Sequence, residues 1–153
     1  MIGTLILTHG GTAQELLKAA QKIAGPLSQI EALSLDWDAG FEEAKQKVHD
    51  AIARLDTGQG VIVLTDMFGS TPSNVAISCN QAGRVEILSG VNLPMLLRLA
   101  CLPQPLDLAE LAHWLQGKAQ KSVCLASDMP AGKKCEAPRC DVAPVALAEK
   151  GDG

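Results

Sequence analysis

An α/β fold, with a doubly wound and mainly parallel sheet in three αβα layers, is predicted for this 153-residue chain by three observations. Short apolar runs alternate with amphipathic stretches of helical period, and the links between them are short and carry Gly and Pro. The interior must be built from Ala, Val, Ile and Leu, because the chain has two Phe, two Trp and no Tyr. Continuous apolar runs mark strands covered on both faces, and strand–helix alternation through short links is how such sheets are wound. The length suits one domain. It is read over residues 1–126, with residues 127–153 as a flexible or loosely docked tail.

The first strand is read at Ile2 to Thr8, giving way at His9, Gly10 and Gly11 to a helix whose start is signalled by Thr12 and Glu15 at capping-box spacing. Leu16, Leu17, Ala20 and Ile23 form its apolar face, and Gly25-Pro26 ends it. A second strand, Ile30 to Leu35, leads to a helix with Ala44, Val48, Ile52 and Leu55 on one side. Trp37, between them, either lines a pocket or covers the sheet edge, and both readings stay open. The third strand, Val61 to Leu64, is followed by a loop and then by Thr71-Pro72, read as an N-cap with proline at the first helical position, opening a helix to about Gln81. Arg84 to Leu88 is the fourth strand. Asn92 or Pro94 opens a helix to about Leu102, Asp107 with Glu110 caps another to about Gly117, and Lys121 to Ala126 is read as one final strand. Beyond Ser127, Pro130, Gly132, Pro138, Pro144 and the final Gly-Asp-Gly leave no amphipathic period.

Thirteen basic and seventeen acidic residues give a net charge of about −4. Without a basic cluster interleaved with aromatics, this argues against nucleic acid as a partner. No segment approaches the ~18 apolar residues of a membrane span, and the amino terminus lacks a signal-peptide pattern, so a cytoplasmic protein without membrane insertion is expected. Five cysteines at irregular positions fit a reducing compartment, with Cys79 and Cys101 read as small buried hydrophobes. Cys124, Cys135 and Cys140 lack the spacing of a metal knuckle, and no metal is expected.

The chemistry gathers where two apolar runs end. His9 follows the first strand and Asp66 the third, so both emerge at the carboxyl edge of the sheet, where ligands bind in open α/β folds. An imidazole nitrogen is a nucleophile near neutral pH, and a carboxylate on the other ring nitrogen fixes its tautomer and supports the charge it gains. Gly10 and Gly11 allow close backbone approach beside a helix start, and Ser70 and Thr71 add hydroxyls and N–H donors. Together they describe an anion cradle suited to a phosphoryl group in transfer. No phosphate-binding loop or kinase motif accompanies it, which argues against ATP as the direct donor and for another phosphoprotein. No cofactor is expected. His49, beside Lys45 and Lys47, reads as a solvated residue, and His113-Trp114 as helix packing.

Three blocks carry a family resemblance: Leu7-Thr8-His9-Gly10, then Asp66 to Asn74 (DMFGSTPSN), then Gly90 to Leu96 (GVNLPML). In this order and spacing they resemble the mannose-type enzyme IIA of the bacterial phosphoenolpyruvate:sugar phosphotransferase system, over roughly residues 1–126. The resemblance implies a phosphocarrier in which His9 accepts a phosphoryl group from the phosphocarrier protein HPr and passes it to a IIB component, with Asp66 orienting the ring. It also implies a homodimer that exchanges the last strand between subunits. Asn92 and Pro94 belong to the third block, where a helix start and a wall near the phosphate are equal readings. The family often continues into a IIB domain, for which too few residues follow Ala126, and the tail with Cys135 and Cys140 departs from the pattern. Two rivals stand beside the transport role: a regulatory protein whose phosphorylation controls partner binding, and the phosphocarrier subunit of dihydroxyacetone kinase. The third block favours the mannose type.

Overall fold

A computed structural model describes residues 1–102, 105–129 and 131. Four strands, β1 (Gly3–His9), β2 (Ile30–Leu35), β3 (Val61–Thr65) and β4 (Val85–Ser89), form one parallel sheet in the order β2-β1-β3-β4. Five helices connect and flank them: α1 (Thr12–Ala24), α2 (Phe41–Leu55), α3 (Thr71–Ser78), α4 (Leu93–Leu99) and α5 (Leu108–Gln120). A 3-10 turn, Ala126–Asp128, ends the described core.

The sheet separates two apolar clusters, as the period-two geometry of strands requires. Leu5, Leu7, Val61 and Val63 face α2 and α3 through Val48, Ala51, Ile52, Val75 and Ala76. Ile6, Ile62 and Leu64 face α1, α4 and α5 through Ala13, Ala20, Leu96, Leu111 and Leu115. Both central strands are buried along almost their whole length, which is why their sequences are unbroken apolar runs and not alternating ones. Each fully buried Leu or Ile contributes roughly 1.5–3 kcal/mol.

The strand order fixes where the site must be. From β1 the chain winds outward to β2 on one side and, later, through β3 to β4 on the other. The carboxyl ends of β1 and β3 therefore bound the switch point, where diverging connections leave a crevice. His9 ends β1, and Asp66 follows Thr65, the last residue of β3.

Several local expectations are corrected. The Thr12/Glu15 capping box does not form: Gly11 is the N-cap of α1, without a side-chain cap. Glu15 pairs with Lys18 instead, and the buried hydroxyl of Thr8 accepts the Ala13 N–H at 2.8 Å from the end of the strand. Helix α3 is capped one residue earlier than expected, by Ser70, because its hydroxyl receives the Ser73 N–H and leaves Pro72 within the first turn. Helices α3 and α4 also end earlier, at Ser78 and Leu99. At α5 the Asp107/Glu110 capping box is present as read.

Lys121 to Ala126 is not a strand in the single chain. Lys121 closes α5, with the Ser122 N–H turned back to the Ala119 carbonyl, and the next residues join none of the four strands. Val123 and Leu125 stand 83% and 66% exposed. Cys79 is free and buried as expected, whereas Cys101 is half-buried and disulfide-bonded, and the exposed Cys124 is disulfide-bonded too. Cys135, Cys140 and the rest of the expected tail beyond residue 131 lie outside the described residues.

Candidate functional site

The site is built from the ends of adjacent strands. Parallel pairing of β1 with β3 sets Leu7 beside Thr65, so the next residues of each strand run out together. The carboxylate of Asp66 reaches across and accepts twice from His9 through the same oxygen, Oδ2. The backbone N–H donates at 3.0 Å and the ring Nδ1 at 2.7 Å. Its other oxygen, Oδ1, accepts the Met67 N–H at 2.9 Å and lies 3.5 Å from the Ser70 hydroxyl.

These bonds decide the state of both groups. Burial by itself would raise the Asp66 carboxyl, but the His9 N–H, the ring Nδ1–H with its charge, and the Met67 N–H outweigh it and hold the carboxyl below the ordinary aspartate value. An ionised carboxylate can only accept, so Nδ1 must carry the proton. In the neutral form of the ring Nε2 then holds the lone pair. The His9 side chain remains 23% exposed, so that lone pair belongs to a ring fixed on one edge and open to solvent.

The remaining predicted residues divide. Gly10 follows His9 with a positive φ of 51°, a conformation glycine adopts without strain, and turns the chain into α1. Gly11 is the N-cap, so the first-turn N–H groups of α1, which a helix cannot satisfy internally, begin two residues from the imidazole. Thr71, exposed at the first position of α3, brings a second helix start to the same edge. Ser70, expected on the phosphate side, is engaged within the protein. It is 6% exposed, and its hydroxyl donates to the Met67 carbonyl at 2.7 Å while capping α3. It braces the loop that carries Asp66. Asn92 takes the helix-start reading, accepting the Met95 N–H at 2.9 Å.

Two contributors were not assigned from the sequence. Thr8 orients the α1 start through its hydroxyl, a role hidden in a residue that reads only as the end of a strand. Trp37 stacks on the His9 ring, with centroids 4.9 Å apart and planes 19° from parallel. The local clue was an aromatic two residues beyond a strand end, but the partner depends on pairing between distant segments.

His49 lies exposed beside Asp50, and His113 bonds the Ala109 carbonyl one turn back, as solvated and helical residues do. Hollows of about 620 and 430 Å3 lie elsewhere, the first against Gly58, Gln59 and Leu106, the second against Ser73, Ile77 and Ile87. Neither is lined by His9, whose side chain is 23% exposed. Among the described residues no cluster of His, Cys, Asp and Glu could hold a metal, and no helix is long and apolar enough to cross a membrane.

Comparison with known proteins places this geometry among relatives. The sequence profile of the family described as the PTS system fructose IIA component matches residues 3–116. The fructose-specific EIIA component of Bacillus subtilis (strain 168) is 30% identical over 129 residues, covering 84% of this chain and 88% of that protein. The mannose-specific EIIAB component of Escherichia coli (strain K12) is 33% identical over 96 residues, covering 62% of this chain but only 30% of that longer protein. Among solved structures, the mannose/sorbose-specific IIA subunit from Enterococcus faecalis superposes with a TM-score of 0.75 at 27% identity, covering 84% of this chain and 96% of that one.

Proposed function

This chain belongs to the mannose-type enzyme IIA family of the phosphotransferase system, and from that premise we propose that it is a phosphohistidine carrier, accepting a phosphoryl group from HPr on His9 and passing it to a IIB component. The observation that carries this reading is the Nδ1–H to Asp66 bond at 2.7 Å, which leaves Nε2 as an open nucleophile at the switch point of the sheet.

The step balances within the two proteins. The Nε2 lone pair forms a nitrogen–phosphorus bond as the donor's nitrogen–phosphorus bond breaks, and that electron pair returns to the donor. No proton need leave Nδ1. The His9 ring gains positive charge, and the Asp66 carboxylate, already ionised, stabilises it without reorganising. Free N–H groups at the start of α1, next to His9, and at the start of α3, in the loop after Asp66, with Gly10, Gly11 and Thr71, are the groups at this sheet edge that would receive the phosphoryl oxygens. Passing the group onward is the same reaction reversed toward a different acceptor. In this reading the protein acts in the cytoplasm, where the donor resides.

Strand exchange in a homodimer belongs to the same proposal. Edge strand β4 has a neighbour on one side only, and the apolar Val123 and Leu125 lie exposed just beyond α5, so a second copy would pair what one chain leaves open. Sedimentation at twice the chain mass is the expected result.

Incubation with phosphoenolpyruvate, enzyme I and HPr, followed by intact mass measurement, tests the carrier role. The expected outcome is gain of one acid-labile phosphoryl group, absent in His9→Ala, and its loss on adding a IIB protein. Absence of labelling with a competent donor overturns the reading.

A further inference from the structure

We propose that Trp37 is a positioning residue for His9: its indole fixes the plane of the imidazole and favours the positively charged ring that phosphoryl transfer creates. The inference rests on the reading of His9 as phosphoryl acceptor, and it concerns a residue outside the hydrogen-bonded pair.

Sheet register brings Trp37 to the site. β2 runs parallel to β1 with Leu35 beside His9, and Trp37 lies two residues further on, so it leaves the sheet at the same edge from the neighbouring strand. The indole is 79% exposed, so it contributes little to either apolar cluster. The indole stacks on the face of the His9 ring, at 4.9 Å and 19°. An exposed tryptophan that spends one face on a nucleophile is better explained by the nucleophile than by the core.

The stack supplies what Asp66 cannot. A hydrogen bond to Nδ1 holds one edge of the ring, but donor–acceptor bonds tolerate wide tilts, and a ring held at one edge can rock about that edge. Such rocking would move Nε2 off the line of attack, and small misplacements of reacting atoms are costly in rate. An aromatic plane laid against one face removes that motion while leaving the Nε2 edge open. The indole face also carries negative electrostatic potential, and it attracts a ring more strongly as that ring becomes cationic. Stabilisation that grows along the reaction is the kind that raises the rate.

The test uses the full chain with Trp37→Ala and Trp37→Phe. Because the indole is mostly exposed, neither change opens the core. Proton NMR of the His9 ring, assigned with His9→Gln, reads the stack without any partner protein. Rapid-quench transfer from phosphorylated HPr, measured over donor concentration, separates the saturating rate from the half-saturating concentration. The expected result is that the His9 ring protons lose an upfield ring-current shift in Trp37→Ala, and that the saturating rate falls about tenfold. Trp37→Phe should restore most of both. Ring-proton positions unchanged in Trp37→Ala overturn the inference. So does a raised half-saturating concentration at an unchanged saturating rate, because that marks Trp37 as a contact for the donor protein. If the native chain accepts no phosphoryl group, the carrier reading itself fails and takes the inference with it, which is distinguishable because failure of the inference alone leaves native transfer intact.

Discussion

The two ends of the sheet each centre on an aspartate, and the contrast between them separates a structural use of one bonding pattern from a chemical one. At the amino end Asp56 closes the turn before β3, accepting the N–H groups of Gly58 and Gly60 at 2.8 and 3.1 Å and pairing with the Arg84 guanidinium. At the carboxyl end Asp66 accepts the N–H groups of His9 and Met67 and pairs with an imidazole. Each carboxylate gathers two backbone donors and one basic side chain, and Asp66 the Ser70 hydroxyl besides. Arginine keeps its charge at any ordinary pH and offers no lone pair. Histidine, held by one nitrogen, presents the other as a nucleophile. The partner, and not the aspartate, decides which end can do chemistry.

Packing differs in the same direction. A Cβ on Gly3 would meet the Leu55 carbonyl at 2.7 Å, and one on Gly60, where φ is +84°, would meet the Arg84 carbonyl and a Leu108 methyl at 2.8 Å. On Gly10 and Gly11 a Cβ would meet nothing within 4 Å. Gly3 and Gly60 are thus filled against backbone, whereas Gly10 and Gly11, like Gly58 at the amino end, are open.

The sharpest way to break the comparison is Asp66→Asn. The amide can still accept from the His9 N–H, so the fold should persist, but it removes the negative charge and no longer dictates which ring nitrogen holds the proton. Phosphoryl transfer to His9 should fall between about 10²- and 10⁴-fold, with a urea midpoint near that of the native chain. A variant that transfers at the native rate would reduce Asp66 to a turn residue like Asp56.

Gly60→Ala should give the opposite result. A positive φ and a backbone clash together cost about 3 kcal/mol, read as a lower urea midpoint, while the fraction that remains folded transfers at the native rate. Loss of transfer in folded protein would mean that the two ends are mechanically coupled.

How much of this was legible in the sequence follows from how local each feature is. The pairing of His9 with Asp66 could be read because two unbroken apolar runs announce buried strands and each residue directly follows its run. The capping box at Asp107 could be read because it closes within one helical turn. Trp37 could not be placed, since its stack on His9 exists only through the register of β1 with β2. Thr8 was hidden for a related reason: its hydroxyl replaces the expected Thr12 cap only once Gly10 has turned the chain back over the strand end. The strand read at Lys121 to Ala126 shows the converse limit, because β-propensity describes a segment while a strand also needs a partner, and in one chain this segment pairs with none of the four strands. Cys101 sits in an apolar helical pattern that looks the same whether its sulfur is free or disulfide-bonded.

The smallest expected effect distinguishes the two aspartates by what keeps each ionised. At Asp56 the Gly58 N–H is the largest influence, and with the Gly60 N–H and Arg84 it holds the carboxyl below its ordinary value against the opposing effect of burial. At Asp66 burial is the largest single influence, and the combined bonds from His9 and Met67 overcome it. Both folded values lie below the ~3.9 of an unfolded aspartate. Each group therefore contributes stability that is fully present above that pH and is lost as pH falls through the folded value. The Arg84 side chain is 56% exposed, so Arg84→Ala should cost less than about 1 kcal/mol at neutral pH and should leave the acid-side decline largely in place, because the backbone donors remain. Asp66→Asn should make that decline shallower by removing one of the two carboxyls. Urea titrations between pH 7 and pH 3 compare them. If the decline vanished in Arg84→Ala, the guanidinium rather than the turn backbone would be holding Asp56, and the amino end would depend on its charged partner as closely as the carboxyl end depends on His9.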